Sequence, residues 1–104
     1  MDYYYNKERD PSVDAYLDPE VMEAFREWNN KVFAPGRLDK KTKELVAVAC
    51  TYITRCPYCI AGHTKAALKA GATKEEIAEV IQIAAALNAG AAIAHRNIAL
   101  DVEE

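Results

Sequence analysis

Thr54-Arg55-Cys56-Pro57-Tyr58-Cys59-Ile60-Ala61-Gly62-His63 is the stretch on which the reading of the chain turns. Proline is welcome in the first turn of a helix, where its missing N–H costs no hydrogen bond. Cys56 and Pro57 therefore open a helix, with Cys59 in its first turn and His63 one turn further on. The spacings i, i+3 and i+7 put all three side chains on one stripe. The unpaired N–H groups and the dipole at that end favour a thiolate over a thiol. Cysteine Cα atoms three apart in a helix lie about 5 Å from each other, within disulfide range. The sequence specifies a dithiol that can ionise, react and close on itself.

Working back from this stretch, Asp39 is an N-cap, and Leu45, Val48, Ala49, Tyr52 and Ile53 form the apolar stripe of a helix ending near Thr54. Before it, Asp18-Pro19 opens a helix carrying Val21, Met22, Phe25, Trp28, Val32 and Phe33, which Ala34-Pro35-Gly36 stops. Residues 1–17, with the triplet Tyr3-Tyr4-Tyr5, read as a loosely attached segment that packs on the body or on a neighbouring subunit. Working forward, Lys69-Ala70-Gly71 ends the dithiol helix with glycine in the left-handed cap position. Thr73-Lys74-Glu75-Glu76 fits a capping box and opens a helix with Ile77, Val80, Ile81, Ala84 and Leu87. Asn88 and Gly90 predict a break or kink, followed by a last Ala-rich helix to Leu100. No strand, repeat or low-complexity tract is expected. The fold class is all-α, a compact bundle of about five helices in a single domain, 1–104.

At 104 residues, half of them apolar, the chain is long enough for one core. A net charge of −3 without a basic cluster argues against nucleic-acid and anionic-membrane surfaces. The start, MDYYYNKERD, lacks the apolar core of a signal peptide, and no run approaches transmembrane length, so the cytoplasm is the expected location. Three cysteines make no secreted disulfide framework, and in a reducing compartment a CxxC is catalytic or metal-binding more often than structural. Ile83, Ala85 and Ala86 lie off the main apolar face of their helix. That helix is thus apolar on most sides, more than so short a bundle can cover, and a homo-oligomer is expected.

On a helical wheel Cys56, Cys59 and His63 share their side with Ile60, Ala67 and Ala70, while Tyr58, Lys65 and Lys69 lie opposite. The reactive groups face other helices. An inward thiol needs a base, and His63 is the nearest candidate. In an antiparallel hairpin turning near Arg55, Glu44 lies about 16 Å before the turn. His63 lies about 12 Å after it and Cys59 about 6 Å. Glu44 is then close to the level of His63, which gives a relay from Glu44 through His63 to a thiol. The remaining residues read as structural. Cys50 is a packed, passive thiol, His95 has a helix-end role, and Asp101, Glu103 and Glu104 form a solvated tail. Helix-terminus logic ionises Cys56, whereas adjacency to His63 favours Cys59.

The combined pattern E-x11-CxxC-x3-H, running from Glu44 to His63, resembles the alkylhydroperoxidase AhpD-like branch of the carboxymuconolactone decarboxylase family. The resemblance extends from about Lys31 to Leu100 and includes Gly71-Ala72-Thr73 and Glu75-Glu76-Ile77. It implies a small all-helical thiol peroxidase, trimeric or hexameric, that reduces hydroperoxides and is recharged by a reduced dithiol protein or lipoyl-type donor. It also implies roles: Cys59 meets the peroxide, Cys56 resolves the sulfenic acid, and Glu44 and His63 relay the proton. No bound organic cofactor is implied. The best-known peroxidases of the branch carry a second histidine just before the second cysteine, where this chain has Tyr58. Two other readings stay open. One is a disulfide reductase or redox relay without peroxidase turnover. The other is a metal-binding or structural oligomer using Cys56, Cys59, His63 and Glu44.

Overall fold

The computed structural model describes residues 8–103, all-α with five helices and, among those residues, no strand. The triplet Tyr3-Tyr4-Tyr5 lies outside the described residues. Its neighbours form a 3-10 turn, Pro11–Tyr16, capped by Asp10, whose Oδ1 accepts the Ser12 N–H at 2.9 Å. Asp18 caps helix α1 (Pro19–Phe33) by accepting the N–H groups of Glu20 and Val21. Asp39 caps α2 (Lys40–Thr54) through the Thr42 N–H at 2.8 Å.

Arg55 is the hinge of the bundle. Its backbone adopts φ 62° and ψ 36°, the left-handed region, while its N–H still reaches the Thr51 carbonyl. One residue of reversed hand turns the chain back on itself, so Cys56 becomes the cap of α3 (Pro57–Lys69) and the two helices run antiparallel. Helix α3 ends as the sequence requires. Gly71 takes φ 101°, and the N–H groups of Ala72 and Gly71 return to the carbonyls of Ala67 and Leu68. Thr73 and Glu76 then form the reciprocal capping box of α4 (Lys74–Ala94).

The expected kink at Asn88 and Gly90 is absent, and α4 continues through both. A single glycine costs a helix about 1 kcal/mol, less than its alanine-rich neighbours sustain. The break comes instead at His95, whose ring Nδ1 lies 2.6 Å from the Ala91 carbonyl oxygen, while Arg96 donates to the Ile93 carbonyl. These side chains satisfy the last carbonyls of α4, and α5 (Arg96–Leu100) follows.

Helix α2 is central, packed on α3 and on α4. Val48, Ala67, Ala72 and Ile77 form the core, with Leu45, Tyr52, Val80 and Ile81 against them. Elsewhere the bundle is open. The radius of gyration is 17.7 Å, against about 13 Å for a compact domain of this length. The α1 stripe, expected to pack, is largely uncovered: Phe25 is 51 % and Trp28 63 % exposed. Ile83, Leu87, Ile93, Ile98 and Leu100 are exposed on α4 and α5. The expectation of no run near transmembrane length also needs correction. The helical stretch Lys74–Leu100 is long and apolar enough to cross a membrane, by length and composition. Charges at both ends hide this in the sequence, because Glu75, Glu76 and Glu79 give the stretch a soluble-looking start and Arg96 interrupts it near its end.

Candidate active site

The hairpin brings Glu44 and His63 together. Nδ1 of His63 lies 3.2 Å from Oε2 of Glu44 and 3.3 Å from Oε1. The contact closes because α2 and α3 diverge only at Arg55, which sets the two residues level across the interface. Glu44 is 2 % exposed, yet its carboxylate is fully engaged, with Lys40 Nζ at 3.5 Å from Oε1. A carboxylate only accepts, so Nδ1 donates to it, and the neutral ring keeps its lone pair on Nε2. His63 can therefore take a proton on the side away from Glu44.

Phe33 stacks on the His63 ring, with centroids 4.9 Å apart and planes inclined by 29°. It reaches this position because α2 grips the end of α1. Nζ of Lys43 donates to the carbonyls of Val32 and Ala34 at 2.8 and 2.6 Å, and Nζ of Lys40 donates to that of Phe33 at 3.2 Å. Two lysines thus satisfy the orphan carbonyls of α1 and fix the ring that orients the imidazole. The sequence reading placed Phe33 in the apolar stripe and gave the lysines no role. The i, i+4 spacing of Lys40 and Glu44 was the available signal.

The sulfurs sit at the other end of the same stripe. Cys56 caps α3, its Sγ accepting the Cys59 N–H at 3.2 Å. The Cys56 thiol is held below the ordinary thiol range, foremost by the hydrogen bond from the Cys59 side chain and then by the Cys59 N–H. Cys59 is pushed up by the same bond, then by burial and by the Cys56 charge. Cys56 is therefore the first of the two sulfurs to ionise, and Cys59 holds its proton longer. Both cysteines are free thiols in this structure.

Cys59 and His63 lie between two cavities. One, of about 410 Å³, has an apolar wall built from Val32, Leu38, Val46 and Ala47. The other, of about 510 Å³, is the more polar, with Arg9, Asn29, Asn30 and Lys40 around it, and of the two cavities Cys56 lines this one. Cys50, expected to be packed, is instead exposed on the rim of the apolar cavity. Arg9, another residue the sequence reading passed over, places its Cζ 4.3 Å above the Tyr58 ring. Among the described residues, no group of three or more His, Cys, Asp or Glu side chains is arranged to hold a metal ion.

Residues 19–101 match the model of the carboxymuconolactone decarboxylase family. The chain belongs to that family. A Paracoccus denitrificans protein described as "Uncharacterized protein 4 in cox locus" is 54 % identical over 82 residues, 79 % of this chain and 74 % of that one. A Coxiella burnetii protein named alkyl hydroperoxide reductase AhpD is 44 % identical over 59 residues, 57 % of this chain. The chain spans about a third of the AhpD relative's length, 33 %. Among solved structures, a protein of Methanobacterium thermoautotrophicum superposes with a TM-score of 0.74 at 36 % identity, covering 80 % of this chain and 95 % of its own. The all-helical architecture of the chain is thus shared with a solved protein.

Proposed function

We propose that this member of the family is a thiol-dependent peroxidase that reduces hydroperoxides through a Cys59/Cys56 dithiol cycle with a Glu44–His63 proton relay. The observation that carries the reading is the buried Glu44 carboxylate held on Nδ1 of a histidine one helical turn beyond Cys59. A buried acid on a histidine beside a dithiol is an acid–base device. In the proposed cycle Cys59 gives its proton to Nε2 of His63 as its sulfur attacks the terminal peroxide oxygen. The O–O bond breaks, and the departing alkoxide takes the proton to leave as an alcohol. Cys59 is then a sulfenic acid, which the Cys56 thiolate attacks. The S–S bond forms, and the hydroxide released is protonated to water. A reduced dithiol protein or lipoyl-type donor returns both sulfurs to thiols and becomes a disulfide itself. Glu44 stabilises the transient imidazolium throughout. In this cycle Cys59, whose thiol is held up, depends on His63 to remove its proton, and the lowered Cys56 thiol is ready to resolve.

The exposed faces of α1, α4 and α5 support a homo-oligomer, trimeric or hexameric, and the cycle is set in the cytoplasm. Tyr58, in the place of the second histidine of the best-known peroxidases, favours the neighbouring reading of a disulfide relay without peroxide turnover.

Mass mapping after one equivalent of an alkyl hydroperoxide is the test. A Cys56–Cys59 bridge is expected, absent in C56S and C59S. In steady state, Glu44→Gln and His63→Gln should each slow peroxide-dependent oxidation of a supplied dithiol by about a hundredfold. Unchanged rates in both variants would remove the relay. A bridge that forms with disulfide oxidants but not with peroxide would select the disulfide relay.

A further inference from the structure

We propose that Arg9 is a specificity-determining residue that draws an anionic reductant, a thiolate carrying a carboxylate, to the dithiol through the polar cavity. The proposal rests on the dithiol reading and assigns the side from which the sulfurs are recharged.

Tyr58 lies between the two cysteines in sequence, and its ring is the seat for a cation brought from outside the helices. The Arg9 guanidinium carbon lies 4.3 Å from the centre of that ring, a cation held over an aromatic face. Its N–H edge stays available in the plane, as the fork that matches a carboxylate. Arg9 lines the cavity that holds Cys56 and Cys59, and its charge draws both thiols toward ionisation. The other charges facing this cavity are committed. Lys40 is bound to Glu44 and to the Phe33 carbonyl, and Glu44, the acid among the described lining residues, is turned onto His63. Among the described lining residues, the cation offered to an incoming group is therefore Arg9.

The two cavities sort the reagents of the cycle. An alkyl hydroperoxide has an apolar body and suits the wall of Val32, Leu38 and Val46. The Cys56–Cys59 disulfide is reopened by a thiolate, already an anion at its attacking atom. Of the two cavities, Cys56 lines the more polar one. Charge and access coincide there, and the mouth is built for a negative reductant.

Two matched pairs of reagents test this on the full-length protein. Iodoacetate and iodoacetamide alkylate a reduced thiolate by the same displacement of iodide and differ in charge. Arg9→Gln should lower the ratio of their rates by about three- to tenfold, the size of one partly screened charge at a groove. Lys65→Gln, on the exposed outer face of the same helix, should leave the ratio as it is. Raising the salt concentration on the unaltered protein should move its ratio toward that of R9Q, so the outcome does not depend on a variant folding. With the oxidised protein, the rate of reduction by mercaptoacetate relative to 2-mercaptoethanol should fall in R9Q by a similar factor. A purely structural Arg9 would move both reagents of each pair together. Unmoved ratios in R9Q would overturn the proposal, as would an alkylation effect with no counterpart in reduction. Sulfurs inert to every reagent would sink the dithiol reading itself and the role of Arg9 with it.

Discussion

The α2–α3 hairpin and the outward faces of α1, α4 and α5 both carry apolar side chains but are finished to different degrees. In the hairpin each polar group has its partner: Glu44 on His63 and Lys40, Cys56 on the Cys59 N–H, and the end of α1 on Lys43. On those outward faces large apolar side chains stay largely in the open: Trp28, with the Phe25 ring beside it, and Ile93 are each 63 % exposed. The hairpin is a site that one chain completes. The outer faces are surfaces that one chain leaves open, and exposed apolar faces of this kind mark interaction surfaces. The candidate site is thus completed locally, and the outer faces are left for the proposed homo-oligomer to cover. Both follow from size, since about a hundred residues supply little interior.

The strongest way to break that contrast is to charge the open faces. Phe25→Asp combined with Ile93→Asp should convert the particle wholly to single-chain mass in sedimentation, because a carboxylate in an apolar interface has no partner. The Cys56 and Cys59 alkylation rates of the dispersed chain should stay within about twofold of the parent, since neither position touches the hairpin. An unchanged mass would mean that these faces are not the interface. A changed mass with dead sulfurs would mean that the hairpin needs its neighbours after all.

What could be read in advance divides along the same line. Caps, the Gly71 stop, the Thr73 box and the Glu44–His63 register were legible because each depends on residues within a turn or two of a fixed hairpin. The continuity of α4 through Gly90 was not, because one glycine is a weak signal against a run of alanines. The break at His95 depends on side chains reaching back to carbonyls, which spacing does not reveal. Phe33 and Arg9 escaped notice because they arrive at the site from other elements, and only the assembled bundle shows what they stack on. The α1 stripe was legible as apolar. What would cover it was not, because its covering is not encoded within one chain's own contacts.

A pH experiment sharpens the hairpin half of the contrast with a smaller effect. The folded state lowers Cys56 and raises Cys59. As pH rises toward the ordinary thiol value, the folded chain has already lost the Cys56 proton that the unfolded chain still holds, so stability increases. Above the ordinary value the unfolded chain loses a proton that folded Cys59 keeps, and stability declines. Unfolding at a series of pH values should therefore show a maximum near the ordinary thiol pKa under reducing conditions. Cys59→Ala should flatten it, since the hydrogen bond that splits the pair is gone. A monotonic profile in the parent would mean that the two thiols are not split in this way.

The smallest expected effect concerns the turn itself. Arg55 holds φ 62°, a hand that costs a residue with a Cβ roughly 1–2 kcal/mol. Glycine adopts it freely but loses more backbone freedom on folding. Arg55→Gly should therefore raise stability by about 0.5–1 kcal/mol, the larger steric relief offset in part by entropy. Arg55→Val should lower it by more, because a branched side chain fits the left-handed region worst. Neither change touches the outer helices, so denaturant midpoints should shift while the particle mass stays fixed. Were R55G less stable than the parent, the Arg55 side chain would be making a contact worth more than the backbone relief, and the hairpin would owe its closure to that contact rather than to the hand of one residue.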